Sequence, residues 1–212
     1  YLYAEANGQL AGVLPLVHLH FPGLLSEMAA LPYCDIGNCL ADNDHVQDAL
    51  LREVLNLYDT LRCKKLSLRG PLRETEMQNG RFRGQTSGKV RMLLDLPPSS
   101  GQLLAGFKSK LRSQIHKAEK NGIVFVWGGL DELDGIYSVF SKNMHALGSP
   151  VHAKKWLHSI ITAYFSRIKI GLVQFEGETV GVGIILLGRQ GVAIPWASTL
   201  REYNHLGTNM LL

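Results

Sequence analysis

The run Phe107-Lys-Ser-Lys-Leu-Arg-Ser-Gln-Ile-His-Lys-Ala-Glu-Lys-Asn-Gly122 constrains this chain more than any other stretch. Leu103, Leu104, Phe107, Leu111, Ile115 and Ala118 recur at helical spacing and predict one long amphipathic helix. Ser99 or Ser100 can cap its start, and Asn121-Gly122 closes it, because both residues tolerate the left-handed backbone of a helix end. Such a helix must lay its apolar stripe on a core. Lys108, Lys110, Arg112, Lys117 and Lys120 take most of the remaining surface, with Glu119 as the one acid. Two readings follow: a solvated lysine face, or a site for a polyanion such as nucleic acid or a phosphorylated substrate.

The 212 residues suffice for one large domain or two small ones with a sizeable core. With 46% hydrophobic and 19% charged residues, the composition is globular and not disordered. The net charge of +4 is concentrated in the basic run, which favours a local anionic partner. Cys34, Cys39 and Cys63 are odd in number and lack the paired Cys or His spacing of a zinc site. They read as reduced thiols, hence a cytoplasmic location. No metal site, signal peptide or apolar run of about 18 residues is evident. There is no initiator Met, and Gly207-Thr-Asn-Met-Leu-Leu212 opens a helix that stops, so the expectation is a chain truncated at both ends.

Taken in order, Tyr1 to Ala6 and Gln9 to His20 read as strands joined at Asn7-Gly8, a pair suited to a type I′ turn. Pro15 marks an edge or a bulge. Ala29 to Ile36 can form a strand. Asp42-Asn43-Asp44 caps a helix running to about Arg62, and Lys64 to Arg69 is a strand. Gly70 to Gly88 reads as a polar loop between halves. Lys89 to Leu96 alternates as a strand ending at Pro97-Pro98, and Ile123 to Trp127 is another. Helices follow over Leu130 to Leu147 and Ala153 to Phe165, broken by Gly148-Ser149-Pro150. Three strands complete the series: Ile168 to Phe175, Thr179 to Leu187 and Gly191 to Thr199. Arg201 to Gly207 is a loop.

The hairpin at Tyr3–Val13 resembles in design a second one starting at Val173, offset by 170 residues, with its turn near Gly177-Glu178. Strand, two helices, hairpin, strand and helix are complete only in the second half. A duplicated module whose first copy lacks its front accounts for this order. The expected fold class is α/β (α+β), with mixed, mostly antiparallel sheets flanked by helices. The expected halves are 1–88, a partial copy, and 89–212, cut within its last helix.

The basic run, Asn143-Met-His-Ala-Leu-Gly-Ser-Pro150, Ile194-Pro-Trp-Ala-Ser-Thr-Leu-Arg-Glu-Tyr-Asn204 and Gly207-Thr-Asn-Met-Leu-Leu212 together resemble the FemAB/FemX-like proteins. Within them the likeness is to the bacterial subgroup associated with exopolysaccharide and PEP-CTERM sorting clusters. The resemblance spans essentially the whole chain. It implies two GNAT-like (acetyltransferase-fold) domains. It also implies a transferase that forms an amide bond on a cell-envelope or exopolysaccharide precursor. Aminoacyl-tRNA is the donor known for the best-known members.

Acyl transfer to an amine needs a positioned amine and donors for the developing oxyanion, not a metal or a nucleophile elbow. Strands that splay apart supply such a place in this fold, and the splay is expected around Ile194 to Ser198. Ser198 and Tyr203 are the candidate proton donors or relays. Asn143, His145, Trp196, Arg201, Asn204 and Asn209 are the candidate substrate-binding residues, although Trp196 reads equally as core and the loop residues as helix caps. A coenzyme A loop needs Arg/Gln-x-x-Gly-x-Gly/Ala at a helix start. Arg201-Glu-Tyr-Asn-His-Leu-Gly207 has its glycine elsewhere, which weighs against acetyl-coenzyme A and accords with tRNA or a nucleotide-activated envelope precursor. The basic residues would then neutralise phosphates, without aromatic stacking and without a DNA partner. Two rival readings stand beside this one: a coenzyme A-dependent N-acetyltransferase, and a non-catalytic polyanion-binding module of the same fold.

Overall fold

A computed structural model of the chain describes residues 1–32, 34–70, 80–86, 88, 90–189 and 191–212. The chain divides into two units, Tyr1–Leu93 and Leu94–Leu212.

In the first unit, β1 (Leu2–Ala6) and β2 (Gln9–Leu14) pair antiparallel around Asn7-Gly8. Both turn residues have positive φ, 54° and 74°, the geometry a type I′ turn needs. Pro15 does not sit within a strand. It ends β2, and β3 (Val17–Phe21) opens a second sheet with β4 (Leu25–Ala29). The strand expected over Ala29–Ile36 does not form among the described residues; β4 ends at Ala29, and residue 33 lies outside them. Short β5 (Leu40–Ala41) joins the first sheet. α1 (Asp44–Thr60) is capped by the Asn43 side chain, which accepts from the Val46 N–H at 3.1 Å. It buries Leu50, Leu51 and Val54 with Leu14, Met28, Ala30 and Cys63. β6 (Lys65–Ser67) then pairs parallel with β4, so α1 is the crossover helix. Residues 71–79 and 87 of the expected loop lie outside the described residues.

The strand expected over 89–96 does not form among the described residues. Lys89 lies outside them, and Val90, Met92 and Leu94 are solvent-exposed, without a sheet partner to cover them. In the second unit the long basic helix is two helices. α2 (Ser100–Gly106), capped by Ser99, ends where Phe107 and Lys108 adopt ψ of 146° and 145°. α3 (Ser109–Lys120) begins after these two extended residues. β7 (Val124–Gly128), a short 3₁₀ turn (Leu130–Glu132), α4 (Leu133–Ala146) and α5 (Lys154–Tyr164) follow. β8 (Ile168–Phe175), β9 (Glu178–Leu187) and β10 (Val192–Thr199) complete an antiparallel sheet of order β10-β9-β8-β7. α4 and α5 cover one face of this sheet, with Ile136, Val139, Leu157, Leu172, Val182 and Ile184 nearly sealed from solvent.

The β8–β9 turn is Glu176-Gly177, one residue earlier than expected, with φ of 51° and 83°. The ladder also slips between Val173 and Gln174, as β1–β2 slips between Ala4 and Glu5. Bulge and turn thus recur together in both hairpins at a spacing of 169 residues, and Gly12-Val13 falls on Gly181-Val182.

Candidate active site

β10 is at the sheet edge. Proline at 195 offers no N–H, and the β9–β10 register breaks between Ala193 and Trp196. Pairing then resumes from Trp196↔Ile184 to Thr199↔Gly181. The expected splay between neighbouring strands is therefore only a bulge at 194–195, and the opening is the outer side of β10, unpaired among the described residues.

Side chains alternate across a strand, so Trp196 and Ser198 both face α4 and α5. Ser198 is buried, and its Oγ accepts a hydrogen bond from Asn143 Nδ2 of α4 at 3.1 Å. This leaves the hydroxyl proton free to be donated elsewhere. The Leu200 N–H returns to Val180 O, and the chain then coils through 3₁₀ turns at Arg201–Leu206 and Thr208–Met210 in place of the expected loop and helix start. Asn204 Oδ1 accepts from Thr199 Oγ1 at 3.0 Å and from the sealed Thr208 Oγ1 at 3.5 Å. Gly207, at φ 87°, lies against α3: a Cβ there would stand 3.2 Å from Ala118 Cβ. Asn121 Nδ2 also donates to Leu206 O at 3.0 Å. The basic helix is thus a buttress for the turn.

These groups enclose a cavity of about 350 Å³ lined by Asn143, Ala197, Ser198, Thr199, Asn204, Gly207, Asn209 and Met210. Its polar lining consists of amides and hydroxyls, with no ionisable side chain. It can donate hydrogen bonds to a carbonyl or a developing oxyanion, but it contains no base that would turn Ser198 into a nucleophile.

Of the residues singled out by sequence, the fold brings Asn143, Ser198, Asn204 and Asn209 together. Others lie outside the cavity. The Tyr203 ring packs on Phe175, 5.9 Å between centroids, and joins the apolar core. Trp196 meets Trp156 edge-on at 5.1 Å, and Trp156 stacks on His152 at 3.9 Å, so Trp196 is half-buried against the core. Arg201 and His145 are exposed and do not line the cavity. Thr199, at the end of the same strand, and Thr208 also belong to this polar network, and Thr208 is not among the sequence candidates. Its neighbour in sequence, Asn209, was the available signal.

The cationic face also changes. Arg112 Nη1 donates to Ala105 O and Phe107 O, each at 2.9 Å, and so bridges the α2–α3 junction. At 100° per residue, Lys110, Lys117 and Lys120 fall within an arc of about 80°, and Arg112 lies outside it, about 80° beyond Lys120. Lys108 precedes the helix as its cap residue.

The second unit is thus a four-stranded antiparallel sheet with two helices on one face and a polar cavity beside an edge strand. Residues 105–212 match the family described as Acetyltransferase (GNAT) domain, and the chain belongs to that family. Among solved structures, the chain is similar to FemX at 11% identity and a TM-score of 0.67, covering 99% of this chain and 73% of that one. It is also similar to the C-terminal domain of a putative lysylphosphatidylglycerol synthetase from Agrobacterium fabrum at 9% identity and a TM-score of 0.57, covering 91% of this chain and 59% of that one. At these identities the likeness is one of fold. No curated protein matches the sequence significantly. Among the described residues, no helix is long and apolar enough to cross a membrane.

Proposed function

We propose that this chain is an aminoacyl transferase of the FemAB-like type, acting on a cell-envelope or exopolysaccharide precursor, with aminoacyl-tRNA as donor. The observation that carries the reading is the neutral cavity built on Asn143, Ser198, Asn204 and Asn209. In the reaction the acceptor amine forms a C–N bond to the aminoacyl carbonyl, the ester C–O bond breaks, and the leaving hydroxyl takes the proton. Ser198 Oγ–H and the cavity amides would hold the carbonyl oxygen as charge develops. The turn supports the choice of donor. In the 201–207 turn the N–H groups of Tyr203 and Gly207 are already bonded to the Leu200 and Asn204 carbonyls, which takes these two away from any pyrophosphate. Lys110, Lys117 and Lys120 supply phosphate contacts. The second structural neighbour, named as a synthetase of an aminoacylated lipid, is in keeping with aminoacyl transfer.

The test is incubation with labelled aminoacyl-tRNA and an amine-bearing envelope precursor. A base-stable amide product that disappears in Ser198→Ala supports the reading. Turnover of acetyl-coenzyme A with no use of tRNA overturns it.

A further inference from the structure

The first unit carries its own cluster of chemistry-bearing side chains, on the edge strand β3. His18 and His20 are two residues apart on this strand, so both rings are on one face of the sheet. In the β3–β4 register they stand opposite Met28 and Ser26. Met28 and Ser26 are buried and both histidines are exposed, so the rings occupy the open margin of a covered face.

Hydrogen bonds hold one of the two rings. Ser26 Oγ donates to Cys63 Sγ at 3.7 Å, so it accepts from His18 Nε2, 3.1 Å away. With its proton on Nε2, the neutral His18 ring keeps an unprotonated Nδ1. This is the arrangement of a metal-binding histidine, whose other nitrogen is tied by a hydrogen bond that sets both tautomer and ring orientation. The His20 ring centre lies 5.6 Å from that of His18, with the planes tilted by 41°. An ion about 2.1 Å from one nitrogen of each ring stands about 3.2 Å from each ring centre, so a tetrahedral ion would hold the two centres about 5.2 Å apart. The exposed His20 ring needs only a small rotation to meet that spacing. No group of three His, Cys, Asp or Glu side chains suited to a metal occurs among the described residues, so water fills the remaining positions. Imidazole nitrogens suit zinc, nickel and copper, whereas magnesium and calcium take oxygen ligands.

We infer that His18 and His20 chelate one first-row transition-metal dication through ring nitrogens, with Ser26 holding His18 from behind.

The test titrates the untagged full chain with Ni²⁺, Zn²⁺ and Mg²⁺ by calorimetry and follows its melting temperature. The expected result is one Ni²⁺ or Zn²⁺ per chain, no saturable heat from Mg²⁺, and a melting temperature that rises with Ni²⁺. His20→Asn should weaken Ni²⁺ binding by roughly 100-fold or more, and Ser26→Ala by roughly 10–100-fold, the range for losing an outer-shell partner. His20 is exposed, so His20→Asn should leave the melting temperature of the metal-free chain unchanged. Cys34→Ser removes the exposed thiol and should leave Ni²⁺ binding unchanged. Ni²⁺ affinity retained in His20→Asn or in Ser26→Ala, binding lost in Cys34→Ser, equal affinity for Mg²⁺, or no saturable Ni²⁺ binding would each overturn the inference.

Discussion

Gly207→Ala is the substitution for which the structure gives the most specific consequence. Position 207 is at φ 87°, where an L-residue costs about 1–2 kcal/mol. The added Cβ would also stand 3.2 Å from Ala118 Cβ, which is closer than two methyl groups settle, and overpacking adds about 1–3 kcal/mol. The expected loss is about 2–5 kcal/mol, and the turn carrying Asn204 and Asn209 must shift. Ala118→Gly alone should cost about 2 kcal/mol: roughly 1 from helix propensity and roughly 0.8 from a buried methyl. If the two methyls compete for one space, the double variant should be more stable than the sum of the singles by about 1 kcal/mol or more. Urea denaturation of the four proteins gives the coupling directly. Strict additivity would mean that α3 does not brace the turn, and the account of how the site is held would fail.

Ser198→Ala leaves Asn143 Nδ2 without its acceptor, so it should cost about 1–3 kcal/mol in stability. If Ser198 also steadies the oxyanion, transfer should slow by roughly 10²–10³-fold, beyond what a melting curve would explain. Lys110→Glu, Lys117→Glu and Lys120→Glu combined should abolish RNA binding in a filter assay. In the parent chain these three contacts should give a slope of log affinity against log salt of about −2 to −3. Arg112→Ala should behave differently, loosening the α2–α3 junction with little effect on that slope, because its Nη1 is committed to Ala105 and Phe107 carbonyls. Asn43→Ala removes the cap of α1 and should lower the stability of the first unit by about 1 kcal/mol in urea.

What could be read from sequence was local. Asn7-Gly8 and Asn43 announce a turn and a helix start because their side-chain and backbone chemistry acts within a few residues. The antiparallel run after α5 was plain from three alternating segments. What depended on distant partners was not visible. The apolar stripe through Phe107 continues without interruption, yet the helix breaks there, and two carbonyls near the break are taken by a guanidinium from the next helix. Val90, Met92 and Leu94 alternate like a strand but have no strand to pair with among the described residues. The β8–β9 turn begins at Glu176 with glycine second, a glutamate at positive φ that residue preference alone does not predict. At the site, Ser198 and Asn143 are 55 positions apart and meet only through the packing of β10 on α4. Tyr203 and Trp196 are half-buried, and their rings pack against the core outside the cavity, a placement set by residues distant in sequence.

A thermal-shift comparison of the chain with acetyl-coenzyme A, aminoacyl-tRNA and uncharged tRNA, at low and moderate salt, bears most directly on the donor. A ligand that binds the folded state raises the melting temperature by mass action. The account predicts stabilisation by aminoacyl-tRNA that fades with salt and is lost in the triple lysine variant, with no response to acetyl-coenzyme A. Stabilisation by acetyl-coenzyme A alone would contradict it.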